Sequence, residues 1–289
     1  MSEKMRSMQI QNAEKVLLEI WYLLGDLNIV FFLRHGTCLG AVRDGELIPW
    51  DDDLDIGSII GMHGLDESAV SGAVERFKAA DFQVEVTETD FHIALELSKY
   101  DIPIDWTCYR VIQDSIFQYP GVKIPVRIYG NLDSVSLLGK PFSIPNPPEE
   151  YLAIKYGPNW RVPKKTGFEA DIIDAIPETV NLAKPSAFRR LLKFLFFKNS
   201  VTRIQVLSSN LEPIPNLDVT IVGIGKRVTD PSGYVVFDLL HEDYYAVTVG
   251  SGEEREILYE ERLEPRKDYS YIQDPNEKQG RIRTLQEKT

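Results

Sequence analysis

The chain is poor in cysteine and in basic residues, and it has no long apolar run. Its 289 residues include two cysteines, Cys38 and Cys108, which are too few for a disulfide framework and fit the reduced thiols of a cytosolic protein. No stretch of about 18 apolar residues occurs, so we predict no transmembrane span. Residues 1–9 are polar and lack an apolar core, so we also expect no secretory signal peptide.

The shortage of basic residues narrows the possible partners. Lysine and arginine number 32 against 44 acidic residues, which gives a net charge of -12. A nucleic-acid binder needs a basic footprint, so we exclude that class. A small phosphorylated substrate stays compatible with this charge, because a site can be locally basic or can recruit a metal. At 43% hydrophobic and 10% aromatic residues, the chain is able to form one large or two modest folded domains.

Apolar periodicity predicts a mixture of helices and strands up to about residue 165. The predicted helices cover residues 11–27, 67–80 and 148–155, with a short helix or turn at 40–45. The predicted strands cover residues 29–33, 53–60, 82–86, 91–97 and 102–109. Residues 166–184 follow no clear pattern.

The pattern changes near residue 200, where short strands separated by turn signals follow one another without helices. Such a pattern is typical of a β-sandwich. We therefore predict a catalytic domain over 1–184, a connecting helix over 185–199, a sandwich over 200–273 and a charged, disordered tail over 274–289. The helix predicted at 187–198 has one apolar and one basic face, which suits packing between domains or peripheral contact with a membrane.

Four carboxylates crowd into five residues: Asp51, Asp52, Asp53 and Asp55. Like charges this close raise one another's pKa, so the cluster belongs either on a cation or in a solvated turn. If the segment leads into a strand, Asp51, Asp53 and Asp55 share one face at spacings of roughly 6–7 Å. Carboxylates so placed can hold one or two magnesium ions for phosphoryl displacement. Asp52 then points the other way, and we predict that metal binding does not need it.

Residues around the cluster suit phosphate binding. Gly36 and Thr37 directly follow an apolar strand, where a glycine lets backbone N–H groups approach a phosphate and the hydroxyl adds a donor. Arg34, Arg43 and Lys140 are further candidates for neutralising phosphate charge.

A third acid from a neighbouring strand would complete such a site. Asp105, inside an apolar strand, is the first candidate and Asp101 the second. An incoming hydroxyl also needs a base, for which Asp105 is again the first candidate, ahead of Asp101 and His92.

Three segments together resemble the LicD family: His35–Arg43 (HGTCLGAVR), Ile48–Gly57 (IPWDDDLDIG) and the closing run 151–163 with its YGPNW. This family includes bacterial phosphocholine transferases and is similar to the fukutin-related ribitol-phosphate transferases. The resemblance covers roughly residues 10–165, and its first motif is long enough to be specific.

The resemblance implies an α+β, nucleotidyltransferase-like catalytic domain with a mixed sheet and flanking helices. It implies transfer of a phospho-alcohol group, such as phosphocholine, ribitol phosphate or glycerol phosphate, from a CDP-linked donor to a sugar hydroxyl, with release of CMP. The cofactor would be Mg²⁺ or Mn²⁺, and the acceptor a glycan or lipid-linked saccharide of the cell surface, reached from the cytoplasm or the inner face of the membrane. Matching positions make Asp51, Asp53 and Asp55 the metal ligands, and Gly36 and Thr37 the donor-phosphate loop. Asp105 matches the third acid only loosely.

The C-terminal segments 218–221, 229–234 and 245–249 resemble the carboxypeptidase regulatory-like, or transthyretin-like, β-sandwich. This resemblance implies a module that binds glycan, binds a partner protein or braces the enzyme.

Two rival functions stay open from the sequence. One is an NTP-dependent nucleotidyltransferase that modifies a small molecule, which would release pyrophosphate instead of CMP. The other is a non-catalytic glycan-binding or scaffold protein, in which the acids form a solvated turn and bind no metal.

Overall fold

The computed structural model describes residues 9–89, 91–176, 201–239, 242–274, 281–282 and 284–288. The helix predicted at 187–198 lies outside these residues. The described chain folds as two compact units, the first formed by residues 9–117 and 123–163 and the second by residues 118–122 and those from 164 onwards.

The described residues up to 156 contain four α-helices and nine strands. The helices are α1 (Ile10–Asp26), α2 (His35–Arg43), α3 (Glu67–Ala79) and α4 (Pro148–Tyr156). The strands are β1 (Phe32–Leu33), β2 (Leu54–Ile59), β3 (Gln83–Glu88), β4 (His92–Lys99), β5 (Ile102–Tyr109), β6 (Ser115–Gln118), β7 (Val122–Pro125), β8 (Asp133–Leu137) and β9 (Lys140–Ile144).

The first five strands form one sheet in the order β1-β2-β5-β4-β3. The central strands β2 and β5 run parallel, and their neighbours pair antiparallel, so the predicted mixed sheet with helices is confirmed. Parallel pairing places Asp55 of β2 directly beside Asp105 of β5. The sheet thus brings together two acids that are 50 residues apart in the sequence.

Tight apolar packing fixes the central strands. Trp106 of β5 is fully buried, and its ring packs edge-on against Phe77 of α3 with centroids 5.7 Å apart. Its indole N–H donates to the Ser58 hydroxyl of β2 at 3.1 Å, which satisfies the buried polar group. α1 buries a stripe of residues at helical spacing: Ala13, Val16, Leu17, Ile20, Leu23 and Leu24.

Two local expectations differ from the structure in the first unit. The strand predicted over 29–33 is limited to Phe32–Leu33. The loop expected at 34–37 is instead the start of α2, which begins at His35. Glycine disfavours helix interiors, which is why Gly36 and Gly40 hide this helix in the sequence. Gly40 is needed there because a Cβ would lie 2.6 Å from the Glu46 carbonyl oxygen.

The second unit is rich in strands. It contains α5 (Phe168–Ala175), in the segment for which the sequence predicted no element, and the strands β10 (Thr202–Leu207), β11 (Asp218–Ile221), β12 (Gly225–Val228), β13 (Tyr234–Phe237), β14 (Asp243–Val249), β15 (Glu256–Leu263), β16 (Asp268–Ile272), β17 (Arg281–Ile282) and β18 (Gln286–Glu287).

These strands form two sheets around one apolar core. The sheet orders are β13-β10-β16-β18 and β12-β11-β14-β15-β17. Ile204 and Val235 from the first sheet share a buried cluster with Val219, Val247 and Leu258 from the second. Two sheets that bury their inner faces against each other form a β-sandwich.

Strands β17 and β18 of this sandwich lie in the segment for which the sequence predicts a disordered tail. Strand β18 pairs antiparallel with β16. Glu261 of β15, 1% exposed, accepts hydrogen bonds from the Thr284 N–H (2.8 Å), the Thr284 hydroxyl (2.6 Å) and the Leu285 N–H (2.9 Å). A buried carboxylate with three donors therefore anchors the segment 284–288.

Replacing Glu261 with glutamine should release this segment. An amide keeps the shape of the side chain but loses the negative charge, and hydrogen bonds to charged groups contribute about 1.5–3 kcal/mol. We expect Glu261→Gln to lower the free energy of unfolding of the sandwich by about that amount and to speed hydrogen exchange over 284–288. Glu287→Gln is the matched control, because it removes only an exposed ion pair with Lys267. Equal effects of both variants would contradict the anchoring role.

Candidate active site

The acidic segment is a loop that leads into β2. The strand begins at Leu54, so the strand alternation assumed for Asp51 and Asp53 does not apply to them. One carboxylate oxygen from each of Asp51, Asp52 and Asp53 lies within 4.8 Å of the others. All three residues are half-buried. We call them the outer triad.

Asp55 and Asp105 form a second group, which we call the inner pair. Asp55 is 7% exposed and pairs in register with Asp105. Arg34 joins them, with its Nη2 3.3 Å from Asp55 Oδ1 and 2.5 Å from Asp105 Oδ2. The Thr107 hydroxyl donates to the other Asp105 oxygen at 2.9 Å. Both Asp105 oxygens are thus engaged by protein donors, and the general-base role predicted for Asp105 stays a prediction.

Arg34 is held in place by the strand that it crosses. Its Nε donates to the Ile56 carbonyl at 2.9 Å, and its Nη1 lies 3.0 Å from His35 Nε2. A Cβ on Gly57 would lie 2.7 Å from the Phe32 ring and 3.3 Å from Arg34 Cδ. Gly57 therefore opens the space through which both side chains pass over β2. At 2% exposure, the guanidinium is fixed inside the protein.

The first turn of α2 forms two hydrogen bonds with Asp55. The Asp55 N–H donates to the Thr37 hydroxyl at 2.8 Å, and the Gly36 N–H donates to Asp55 Oδ2 at 3.3 Å. Asp51 lies directly over Gly36, since a Cβ there would come within 2.1 Å of Asp51 Oδ2. The structure thus places Gly36 beside both Asp51 and Asp55, and Thr37 beside Asp55. Contact of these residues with a donor phosphate stays a prediction.

Helix α4 supplies two residues that the sequence did not identify as part of the site. The Tyr151 hydroxyl accepts the His35 N–H at 3.0 Å. Lys155 is 2% exposed and interacts electrostatically with Asp55 and Arg34. The sequence carried a signal for Lys155, because a lysine four residues after Tyr151 falls on the buried side of the helix.

Two predicted phosphate ligands lie apart from the acids. Arg43, in the last turn of α2, pairs with Asp44 at 2.6 Å. Lys140 lies 5.0 Å from the ring centroids of both Trp21 and Tyr22. In the described chain neither cation forms an ion pair with the outer triad or the inner pair. Their role in phosphate binding stays a prediction.

The weaker candidates for the base are placed as follows. Asp101 lies in the turn between β4 and β5 with a left-handed φ of 60°. His92 Nδ1 lies 3.5 Å from the Thr89 hydroxyl, and its ring contacts Tyr109.

Crowding and burial disfavour the charged form of the outer triad. Burial, followed by repulsion from Asp55 and Asp52, raises the pKa of Asp51 to about 8. Burial and the neighbouring acids raise the pKa of Asp53 well above its ordinary value, and burial raises that of Asp52. Among the described residues, no lysine or arginine forms an ion pair with these three acids. Their oxygens fit a hard divalent cation such as Mg²⁺ or Mn²⁺, which would reverse these pKa shifts.

In the inner pair, neighbouring basic side chains offset part of the effect of burial on the pKa of the Asp55 carboxylate. Burial raises the pKa of Asp55 only to about 6, because Arg34 and Lys155 lower it against repulsion from Asp105. Burial, then repulsion from Arg34, lowers the pKa of Lys155 to about 7 against attraction by Asp55. The two acid groups therefore differ in charge balance although they lie close together.

Divalent-cation affinity should rise with pH. The cation-free protein keeps a proton on Asp51 up to about pH 8, so binding must displace at least one proton. We expect the apparent Kd for Mg²⁺ to fall about tenfold per unit between about pH 6 and pH 8, measured by isothermal titration calorimetry.

Stability without the cation should move in the opposite direction. The folded Asp51 pKa of about 8 exceeds the ordinary value of 3.8, so the folded state holds more protons in that window. This contribution to stability is complete below about pH 3.8 and is lost as the pH rises towards 8.

For the affinity prediction, a Kd for Mg²⁺ that is independent of pH would contradict the raised pKa of Asp51.

Asp52 is expected to take part in cation binding, because its oxygen joins the other two in the outer triad. Asp52→Asn should raise the Kd for Mn²⁺ by about tenfold or more, the size expected when a coordinating group is weakened. Equilibrium dialysis measures this directly. An unchanged Kd would restore the expectation from strand alternation that Asp52 is dispensable.

Comparison with known proteins identifies this segment. Residues 28–147 match the family model described as LicD/FKTN/FKRP, nucleotidyltransferase domain. An uncharacterized protein of Rickettsia typhi is 37% identical over 79 residues, which covers 25% of this chain and 24% of that protein. An uncharacterized protein of Rickettsia prowazekii is 57% identical over 35 residues, or 12% of this chain and 13% of that protein. The matches therefore span a quarter or less of these relatives.

A solved structure of the N-terminal domain of AlgF from P. aeruginosa also matches, at 20% identity over 31% of this chain and 93% of that domain. Its TM-score of 0.21 is too low to support a common fold. The family match, in contrast, covers the outer triad, the inner pair, Arg34 and helix α2. Residues 28–147 of the chain are therefore similar to the nucleotidyltransferase domain of the LicD/FKTN/FKRP family.

Proposed function

We propose that the first unit is a transferase that moves a phospho-alcohol group from a CDP-linked donor to a sugar hydroxyl, releasing CMP. The family match supports phosphotransfer in glycan modification. The observation that carries the proposal is the outer triad, three half-buried carboxylates within 4.8 Å of one another and without a basic partner among the described residues. This donor set suits a divalent cation, and phosphoryl transfer depends mainly on positioning and charge neutralisation.

Asp51, Asp52 and Asp53 would hold Mg²⁺ or Mn²⁺. When bound, this cation neutralises donor phosphate oxygens and stabilises the charge that develops on the leaving group. The resemblance predicts Asp55 as a metal ligand, but Asp55 would have to break its ion pair with Arg34 to bind the metal. We therefore assign Asp55 a supporting role in the site. Thr37 fixes Asp55 by accepting its N–H, and this contact sets the distance between α2 and β2.

The nucleotidyltransferase-like fold of the domain is part of the same proposal. Its support is the family description together with helix α2, which follows β1 and whose first turn contacts Asp55 of β2. A helix N-terminus favours anions, and the anionic group that the first turn of α2 contacts in this structure is the Asp55 carboxylate, which accepts the Gly36 N–H.

Incubation with CDP-choline, CDP-ribitol, CDP-glycerol and CTP in the presence of Mg²⁺ tests the function. Release of CMP from a CDP-alcohol in the presence of a glycan acceptor is the expected result. Release of pyrophosphate from CTP would overturn the proposal in favour of an NTP-dependent nucleotidyltransferase. Absence of both reactions, with no Mg²⁺ binding, would favour the glycan-binding or scaffold function.

The proposed acceptor is a glycan or lipid-linked saccharide used in assembly of the cell surface. Among the helices of the described ranges, none has the length and apolarity needed to cross a membrane. We place the reaction in the cytoplasm or at the inner face of the membrane, with the sandwich as a glycan-binding, partner-binding or bracing module. Fractionation of cells into soluble and membrane pools tests this location.

A further inference from the structure

We infer that Arg34 fills the position of a second cation, so that the site takes one divalent cation instead of the two that clustered carboxylates can hold. This inference rests on the proposed function, because it concerns the same site. It assigns to Arg34 the role of a positioning and charge-neutralising residue. The inner pair is then closed to metal by the protein itself.

The first support is geometric. Arg34 Nη2 contacts both acids of the inner pair, at 3.3 Å and 2.5 Å, and so lies between two carboxylates on neighbouring parallel strands. A bridging metal would need these same oxygens, because the other oxygen of each acid is already engaged. Thr107 donates to Asp105 Oδ1 at 2.9 Å, and the Gly36 N–H donates to Asp55 Oδ2 at 3.3 Å.

The second support is the rigidity of Arg34. Its side chain is 2% exposed, its Nε is bonded to the Ile56 carbonyl at 2.9 Å, and its Cζ lies 5.9 Å from the Tyr109 ring centroid. Release of the guanidinium would require breaking its buried hydrogen bond to the Ile56 carbonyl and its buried ion pair with Asp55, which would then lie beside the half-exposed Asp105 without a guanidinium between them. Breaking a buried ion pair is strongly unfavourable, so a metal does not readily displace this group.

The third support is the charge balance. The inner pair contributes two negative charges and has two buried basic neighbours, Arg34 and Lys155. The outer triad holds three carboxyl groups, and in the part of the chain that the structure describes it forms no ion pair with a base. Attraction for a divalent cation is therefore concentrated at the outer triad.

Counting bound Mn²⁺ on the full chain tests the inference. We expect equilibrium dialysis to give one Mn²⁺ per wild-type chain. Arg34→Met uncovers the inner pair and should raise the number to two. Arg127→Met is the matched control, because it removes an arginine from an exposed pair with Glu150, and it should leave the number at one. Two ions on the wild-type chain with similar affinity would overturn the inference.

Asp105→Asn gives a second measurement if Arg34→Met does not fold. If Asp105 faces only Arg34 and Thr107, this variant should still bind one Mn²⁺, with a Kd changed by less than about fivefold. A Kd raised by about tenfold or more would make Asp105 a metal ligand and overturn the inference. One bound Mn²⁺ without CMP release would contradict the proposed function but not the inference about Arg34. CMP release with two bound Mn²⁺ ions would contradict the inference but not the proposed function.

Discussion

Asp53→Asn is expected to abolish divalent-cation binding and to lower the transfer rate by about a thousandfold or more, since a bound cation contributes several kcal/mol to stabilisation of the transition state. Asp53 lies in the outer triad, and repulsion from every other acid of the site contributes to its raised pKa. An amide still offers one oxygen but brings no charge. Titration with Mn²⁺ and the release of CMP measure the two effects.

The same variant should make the cation-free protein more stable. Asp53 is half-buried among acids, so its charge opposes folding, and asparagine removes that charge without changing the shape. We expect the midpoint of thermal unfolding to rise by about 2–4 °C in the absence of metal, the shift that about 1 kcal/mol gives in a domain of this size. The opposite signs for stability and activity separate a functional acid from a structural one.

Asp26→Asn is the control for both measurements. Asp26 ends α1, and its side chain is 70% exposed in a loose pair with Arg76 at 3.9 Å. Cation binding, transfer rate and thermal stability should all stay near the wild-type values. If Asp53→Asn also leaves cation binding and transfer rate unchanged, the acids bind no functional metal. The scaffold function would then be favoured over the transferase.

Local pattern predicted the elements with strong periodicity. Helices α1 and α3 and strands β4 and β5 appear close to their predicted positions, because each carries an apolar stripe that must be buried. Asp105 was a candidate because a third acid from a neighbouring strand would complete a metal site, and Asp105 lies inside an apolar strand. The helices and strands that could be predicted from the sequence were therefore those with a clear pattern of buried apolar residues.

Contacts between residues far apart in the sequence could not be predicted from local sequence patterns. The pairing of Arg34 with Asp105 depends on β1 and β5 lying on either side of β2, which no short segment specifies. The start of helix α2 was missed, and only a short helix or turn at 40–45 was predicted, because the glycines of α2 serve close packing, and packing overrides helix propensity. Lys155 was missed although its position on the buried side of α4 was readable. The domain boundary near residue 200 stays a prediction.

Gly36→Ala should weaken Mn²⁺ binding by about 10–100-fold, the range found when a group that orients metal ligands is changed. Gly36 lies in the first turn of α2 and is not among the residues with positive φ, so alanine fits the backbone there. The conflict is with a side chain, because the new Cβ would lie 2.1 Å from Asp51 Oδ2 and 2.9 Å from Asp51 Cγ. Asp51 must then leave its place beside Asp52 and Asp53.

This expectation differs from the one that the sequence gives for the same glycine. If Gly36 serves only to let the backbone approach a phosphate, Gly36→Ala should raise the KM for the CDP-linked donor and leave Mn²⁺ affinity unchanged. Gly72→Ala is the matched control, since a Cβ in that part of α3 meets no atom within 4 Å and alanine should stabilise the helix by about 0.5–1 kcal/mol. A weaker affinity for Mn²⁺ in Gly36→Ala alone would show that the glycine makes room for Asp51 in the outer triad.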